Sequence, residues 1–163
     1  AVAEAEYCFR LGTDLPPRDT AYSVEEVLNA VDTLHSAIEI PDARCVDFVT
    51  AGETQLIADN ACASWFVLGP PTTSDWRNID LRDHQVQALV NGTVVEEGVG
   101  SNVLGDPRVA LTWIVNELSH EGIGLKSGEV ITTGTCVLPF HIKPGDHIIS
   151  DFGQIGQVSV TLS

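Results

Sequence analysis

The chain has 163 residues, the length of one typical domain, and 44% of them are hydrophobic while 19% are charged. This composition predicts a folded domain and excludes a disordered chain. Because 8 lysines and arginines face 23 aspartates and glutamates, the net charge is −15, which disfavours nucleic acids and anionic membrane surfaces as partners.

Cysteine pattern and hydropathy indicate where the protein works. The four cysteines include no C-x-x-C pair, and no apolar run approaches the roughly 18 residues of a membrane span. Free thiols in a reducing compartment are therefore expected, and the expected location is the cytoplasm. The sequence also contains no methionine, which suits a chain that begins partway through a longer gene product.

The first predicted element is a strand over residues 3–11, in which Glu4 and Glu6 fall on one face. Two neighbouring carboxylates repel each other unless a cation lies between them, and Mg²⁺ or Mn²⁺ is the usual partner. Glu39, a lone charge between two isoleucines, is the best third ligand. The alternative is a solvated acidic strand face, which is common in so acidic a chain.

A helix is predicted next. Ser23 and Glu26 form a capping box, and the apolar residues that follow recur at helical spacing. These signals predict an amphipathic helix over about 24–36. Residues 37–41 should leave it as an extended stretch.

The second main helix is predicted over about 107–121. Asp106 is its expected N-cap, Pro107 occupies the first turn, and Gly122 ends the apolar periodicity.

The remaining segments are predicted strands and turns. Asn91-Gly92 is typical of a tight hairpin, and Lys143-Pro144-Gly145-Asp146 is typical of a type II turn. The predicted strands cover residues 64–68, 84–91, 94–99, 129–133, 147–151 and 155–162. The expected architecture is one strand-rich α+β domain.

Several polar segments could carry chemistry, each with a plainer alternative. Residues 132–135 could bind a small anion or simply end a strand. Asp59 and Asn60 could cap a helix or contact a buried site. Arg44 could pair with the nearby Asp42 or clamp a carboxylate. The five histidines share no spacing that would build a site, and surface or packing roles are expected for them.

Seven motifs follow one another along the chain: Glu4-x-Glu6, Ile38-Glu39-Ile40-Pro41-Asp42-Ala43-Arg44, Ile57-Ala58-Asp59-Asn60-Ala61, Asn91-Gly92, Leu104-Gly105-Asp106-Pro107, Thr133-Gly134-Thr135 and Pro144-Gly145-Asp146. Taken in this order, they closely resemble the 2-keto-4-pentenoate hydratase branch of the fumarylacetoacetate hydrolase superfamily, and the match runs over essentially the whole chain.

The resemblance implies a mixed β-roll that binds one Mg²⁺ or Mn²⁺ on Glu4, Glu6 and Glu39. In such hydratases the metal chelates the 1-carboxylate and 2-oxo group of a 2-oxo acid, which favours enolisation and lets water add across a distal double bond.

The resemblance also assigns substrate-binding residues. Thr135 would help to hold the substrate carboxylate, while Asp59 and Asn60 would line or brace the pocket. Many relatives have serine where this chain has Cys62, so a hydroxyl contact there is not expected.

The chain also departs from the family pattern. Family members carry an N-terminal segment with a general acid/base lysine before the E-x-E strand, and Lys126 and Lys143 do not correspond to it. The catalytic residue is therefore unassigned. Residues 1–163 are expected to form a single catalytic domain that is truncated at its N-terminus.

The primary functional prediction is a metal-dependent hydratase that acts on a 2-hydroxydienoate in aromatic catabolism. The alternatives are a metal-dependent decarboxylase of a 2-oxo-3-enedioate, an acylpyruvate hydrolase in third place, and a catalytically incomplete binding or assembly subunit. The expected partners are a small 2-oxo acid, further copies of the chain, and a decarboxylase or hydratase partner.

Overall fold

The computed structural model describes residues 1–47 and 50–163. Within these residues lie nine strands and three α-helices. In chain order they are β1 Val2–Leu11, α1 Val24–Ala30, β2 Val31–Ile40, α2 Glu53–Ala58, β3 Trp65–Pro71, β4 Gln85–Val90, β5 Thr93–Val99, α3 Pro107–His120, β6 Val130–Thr135, β7 Phe140–His141, β8 His147–Asp151 and β9 Gln157–Thr161. No helix in this described part has the length and apolar character needed to cross a membrane.

The strands form two sheets. The first has the order β3-β2-β1-β6, with β7 also paired to β1, and the second has the order β5-β4-β8-β9. Neighbouring strands run antiparallel in both. The strand-rich α+β prediction is therefore confirmed.

The core lies between the two sheets, and β1 shows how the sequence places it there. Its odd-numbered side chains, from Ala3 to Leu11, are at most 1% exposed. Tyr7 packs edge-on against Phe152, the residue that follows β8 of the second sheet, and the ring centroids are 4.8 Å apart. Because side chains alternate along a strand, the even-numbered residues of β1 face the other way, and these include Glu4 and Glu6.

The first helix is shorter than predicted. The predicted helix over 24–36 is wrong beyond Ala30, because residues 31–36 belong to β2. This strand is buried on both faces through its centre, with Leu34 and Ile38 fully buried. A doubly buried strand loses its polar alternation, so its apolar residues can match a helical spacing by coincidence. The capping box at Ser23 and Glu26 is confirmed.

The second helix and the turns agree with the sequence. Asp106 caps α3 by accepting a hydrogen bond from the Arg108 backbone N–H at 2.8 Å. Asn91 and Gly92 have φ values of 52° and 81°, as a tight hairpin requires. The Lys143 carbonyl accepts from the Asp146 N–H at 3.1 Å, which closes the predicted turn. All four cysteines are free thiols, as expected.

The two sheets approach closely beside Gly98. A Cβ atom at Gly98 would lie 2.0 Å from the carbonyl oxygen of Cys136, which follows β6. At Gly100 it would lie 1.8 Å from the carbonyl oxygen of Leu81. These glycines therefore permit close backbone contact at the end of a hairpin.

Candidate metal centre

Three glutamates converge on the outer face of the first sheet. In the β1/β2 ladder Glu4 lies directly opposite Glu39, and cross-strand partners point to the same face. Glu6 is two residues further along β1 and shares that face. One carboxylate oxygen from each side chain lies within 4.8 Å of the other two. The structure therefore brings together the three residues that the sequence nominated as metal ligands.

The cluster is electrostatically unfavourable without a cation. Glu6 is only 1% exposed, whereas Glu4 and Glu39 are half-buried. None of the three forms an ion pair with a lysine or arginine in residues 1–47 and 50–163. Burial, together with the charge of Glu39, raises the pKa of Glu6 to about 8. Burial, and to a smaller extent the negative charge of Glu39, also raises the pKa of Glu4.

Strand β6 positions the Glu6 carboxylate from the other side. The backbone N–H of Gly134 donates a hydrogen bond to Glu6 Oε2 at 3.2 Å. The side chain of Thr132 also interacts with this carboxylate and favours its charged form, which opposes the rise in pKa. The sequence suggests residues 132–135 as a possible small-anion site. In the structure Thr132 and Gly134 contact a carboxylate of the protein itself.

Thr135 lies beside the cluster because it pairs with Glu6 in the β1/β6 ladder. Its hydroxyl donates to the Val137 carbonyl at 2.8 Å. The hydroxyl is thus already engaged with the backbone, and its contact with a substrate carboxylate stays a prediction.

Asp59 braces the loop that follows β2. Its carboxylate accepts from the Arg44 backbone N–H at 3.2 Å and from the Arg44 guanidinium at 2.9 Å. Hydrogen bonding to Arg44 lowers the pKa of Asp59. Arg44 therefore clamps the carboxylate of Asp59, which also ends α2. Asn60 is exposed in the short turn Asn60–Cys62.

A cleft of about 620 Å³ opens beside Glu4. Its walls come from the start of β1, the loop after β2, Cys62 and the region of β7. His141 on β7 pairs with Val2, so the two side chains share the face that carries Glu4. Sequence reasoning missed His141, since the pairing of a two-residue strand 139 positions away leaves no local signal.

The two lysines are engaged elsewhere. Lys126 Nζ lies 3.0 Å from the Asp14 carboxylate, and Lys143 begins the turn that closes at Asp146. Neither belongs to the described residues that line the cleft. That neither replaces the lysine of the resembled family stays a prediction.

Comparison with known proteins supports the architecture. Residues 1–163 match the family model described as fumarylacetoacetate (FAA) hydrolase C-terminal. The chain is 37% identical over 159 residues to 2-hydroxyhexa-2,4-dienoate hydratase of Comamonas testosteroni, covering 97% of this chain and 58% of that protein. It is 34% identical over 155 residues to 2-keto-4-pentenoate hydratase of Paraburkholderia xenovorans, covering 95% and 56%.

A solved structure has a similar fold. The fold superposes with a TM-score of 0.87 and 28% identity on 4-oxalocrotonate decarboxylase from Pseudomonas putida G7, complexed with magnesium and adipate. That match covers 99% of this chain and 60% of the decarboxylase. The chain thus spans little more than half the length of the relatives it matches.

Proposed function

The chain belongs to the fumarylacetoacetate hydrolase C-terminal family, and from that premise we propose that it binds Mg²⁺ or Mn²⁺ on Glu4, Glu6 and Glu39 and acts as a metal-dependent hydratase. The proposed substrate is a 2-hydroxydienoate of the 2-keto-4-pentenoate type, formed in aromatic catabolism. The observation that carries the proposal is the convergence of three carboxylates within 4.8 Å. Hard divalent cations prefer such all-oxygen ligation.

The residues around the cluster have distinct proposed roles. Glu4 and Glu39 approach the cation from neighbouring strands, and Glu6 approaches from the buried end of the cluster. Gly134 and Thr132 keep the Glu6 carboxylate oriented and favour its charged form. When bound, the cation supplies Lewis-acid polarisation of a 2-oxo acid.

The cleft beside Glu4 offers the room that a small 2-oxo acid needs. Asp59 would act indirectly, since its hydrogen bonds to Arg44 hold one wall of that cleft. To bind the substrate carboxylate, the Thr135 hydroxyl would have to give up its hydrogen bond to the Val137 carbonyl and donate to the substrate instead. Asn60 would contact substrate from its exposed turn.

Decarboxylation of a 2-oxo-3-enedioate is the second candidate, favoured by the close structural match to a decarboxylase. Hydration ranks first because the hydratases have the higher sequence identities, 34% and 37% against 30% and 31% for 4-oxalocrotonate decarboxylases of Pseudomonas. A catalytically incomplete binding or assembly subunit is the third candidate.

Homo-oligomerisation and association with a decarboxylase or hydratase partner belong to the same proposal. So does a cytoplasmic location, which four free thiols support.

A direct assay separates these functions. The Mg²⁺-loaded chain is incubated with a 2-hydroxydienoate and with its carboxylated analogue, and products are followed by NMR and by CO₂ release. Addition of water to the first substrate supports the hydratase, and CO₂ release from the second supports the decarboxylase. Metal binding with neither product would contradict both enzymes and favour the binding subunit. Glu4→Gln serves as the inactive control.

A further inference from the structure

We propose that a cavity on the opposite side of the first sheet from the three glutamates binds a small monocarboxylate with an apolar body. The cavity has a volume of about 420 Å³ and lies between α1, the turn Trp76–Asn78 and the start of α3. Trp76 packs against Phe9 with ring centroids 5.9 Å apart, and Phe9 belongs to the core face of β1. The cavity is therefore separated from the metal centre by the sheet itself.

Arg77 supplies a cation that is already held in position. Its guanidinium carbon lies 4.3 Å from the centroid of the Trp76 ring, and Nη2 donates to the Val31 carbonyl at 2.6 Å. In the described part of the chain Arg77 forms no ion pair, although Arg18, Arg44, Arg82 and Arg108 each do. An oriented guanidinium without a carboxylate partner is unexpected in a chain with a net charge of −15.

The remaining polar residues define the ligand's charge. Arg108 also lines the cavity, but Asp106 compensates its charge through contacts of 2.6 and 2.9 Å. Glu25 lines the rim and would repel a second negative charge. One carboxylate paired with Arg77 is therefore favoured over a dicarboxylate or a phosphate dianion.

The apolar lining defines the rest of the ligand. Val24 and Leu28 lie on successive turns of α1 and face the cavity together with Trp76. Asn29 adds an amide that can donate a hydrogen bond. A volume of about 420 Å³ lies within the usual range for small-molecule sites. A short hydrocarbon or single aromatic ring bearing one carboxylate matches this lining.

The test uses benzoate as the probe, with phthalate and inorganic phosphate as comparators. Binding to the Mg²⁺-loaded full chain is followed by NMR, including the Trp76 indole N–H signal. We expect benzoate to shift that signal and to bind more tightly than either comparator. Arg77→Gln should weaken benzoate binding about 10-fold, since it removes a charge-assisted contact. Arg82→Gln, which removes an exposed arginine paired with Asp83, should leave it unchanged.

Two further variants separate binding from a structural role of Arg77, which also holds the end of α1 through Val31. Glu25→Gln should tighten benzoate binding about 2-fold to 5-fold, a gain that no folding defect produces. Glu4→Gln should leave benzoate binding intact, so this site and the proposed metal function fail independently. Unchanged benzoate affinity in Arg77→Gln, or weaker binding in Glu25→Gln, would overturn the proposal.

Discussion

Glu6 is the residue that least suits a purely structural sheet. It is 1% exposed, lies beside two other carboxylates and accepts a hydrogen bond from the Gly134 backbone N–H on β6. Burial of an ionised carboxylate without a cationic partner costs free energy. Glu6 occupies this position despite that cost, which is expected where a function requires a carboxylate.

Replacement of Glu6 should therefore separate stability from function. In the absence of divalent metal, Glu6→Gln should raise the free energy of unfolding at pH 7 by about 1–3 kcal/mol. The raised pKa of Glu6 means that folding takes up a proton at this pH, and the neutral amide removes that cost. Added Mg²⁺ should raise the melting temperature of the wild type and have little effect on the variant. Thermal unfolding with and without Mg²⁺ measures both effects.

Glu117→Gln is the matched control, since Glu117 is exposed on α3 away from the cluster. It should change neither the metal-free stability nor the response to Mg²⁺. If Mg²⁺ stabilises Glu6→Gln as much as the wild type, Glu6 is not a ligand.

The three glutamates proposed as metal ligands were predictable because their signal is local. Glu4 and Glu6 share a face by strand alternation, and Glu39 stands out between two isoleucines. The interactions of Gly134 and His141 with this region were not predictable, because they depend on how β6 and β7 pair with a strand more than 120 residues earlier. Such non-local pairings leave no periodic trace in the sequence.

At the scale of elements, α1 likewise has one end that could be predicted from the sequence and one that could not. The start of α1 was predictable, since Ser23 and Glu26 satisfy each other's backbone groups within one turn. Its end at Ala30 was not, because burial of β2 on both faces disguised the strand. Local chemistry thus determined where the helix begins, and tertiary packing determined where it ends.

The start of α1 also gives a pH-dependent prediction. Two hydrogen bonds lower the pKa of Glu26 from its usual range to about 2. The larger effect comes from the Arg18 side chain, and the smaller from the Ser23 backbone N–H. Its charge therefore stabilises the folded protein above the unfolded-state pKa near 4.5, and this stabilisation is lost as the pH falls toward 2. Glu26→Gln keeps the capping hydrogen bond but removes the charge.

We expect Glu26→Gln to lower the melting temperature at pH 7 and to match the wild type near pH 2. Thermal unfolding across this range measures the difference. Glu25→Gln, in the same helical turn but without an ion pair in the described residues, should produce a smaller change at pH 7. A deficit for Glu26→Gln that persists undiminished at pH 2 would contradict the assignment.

At the scale of the whole molecule, two antiparallel sheets share one core, and backbone contact joins them beside Gly98. Sequence alone could place Gly98 at the end of a hairpin, but not against Cys136. The contact brings β5 of the second sheet against the residues that follow β6 of the first. The close approach therefore helps to fix the position of β6, which in turn orients Glu6.

Gly98→Ala should disturb this contact. Its new Cβ would lie 2.0 Å from the Cys136 carbonyl oxygen, so one backbone segment must move. We expect a loss of about 1–3 kcal/mol or more in the free energy of unfolding, measured in urea. Gly52→Ala is the control, because the nearest atom to its Cβ would lie 3.9 Å away, and it should cost about 1 kcal/mol or less. Equal costs in the two variants would refute the role of Gly98.

The central claim is that Glu4, Glu6 and Glu39 bind one divalent cation, and calorimetric titration with Mg²⁺ tests it most directly. A net charge of −15 attracts cations weakly over the whole surface, so the titration is run at 150 mM salt, where such attraction is screened to about 8 Å. We predict one site per wild-type chain and an affinity at least about 10-fold weaker in Glu4→Gln. Equal affinity and stoichiometry in wild type and Glu4→Gln would contradict the claim.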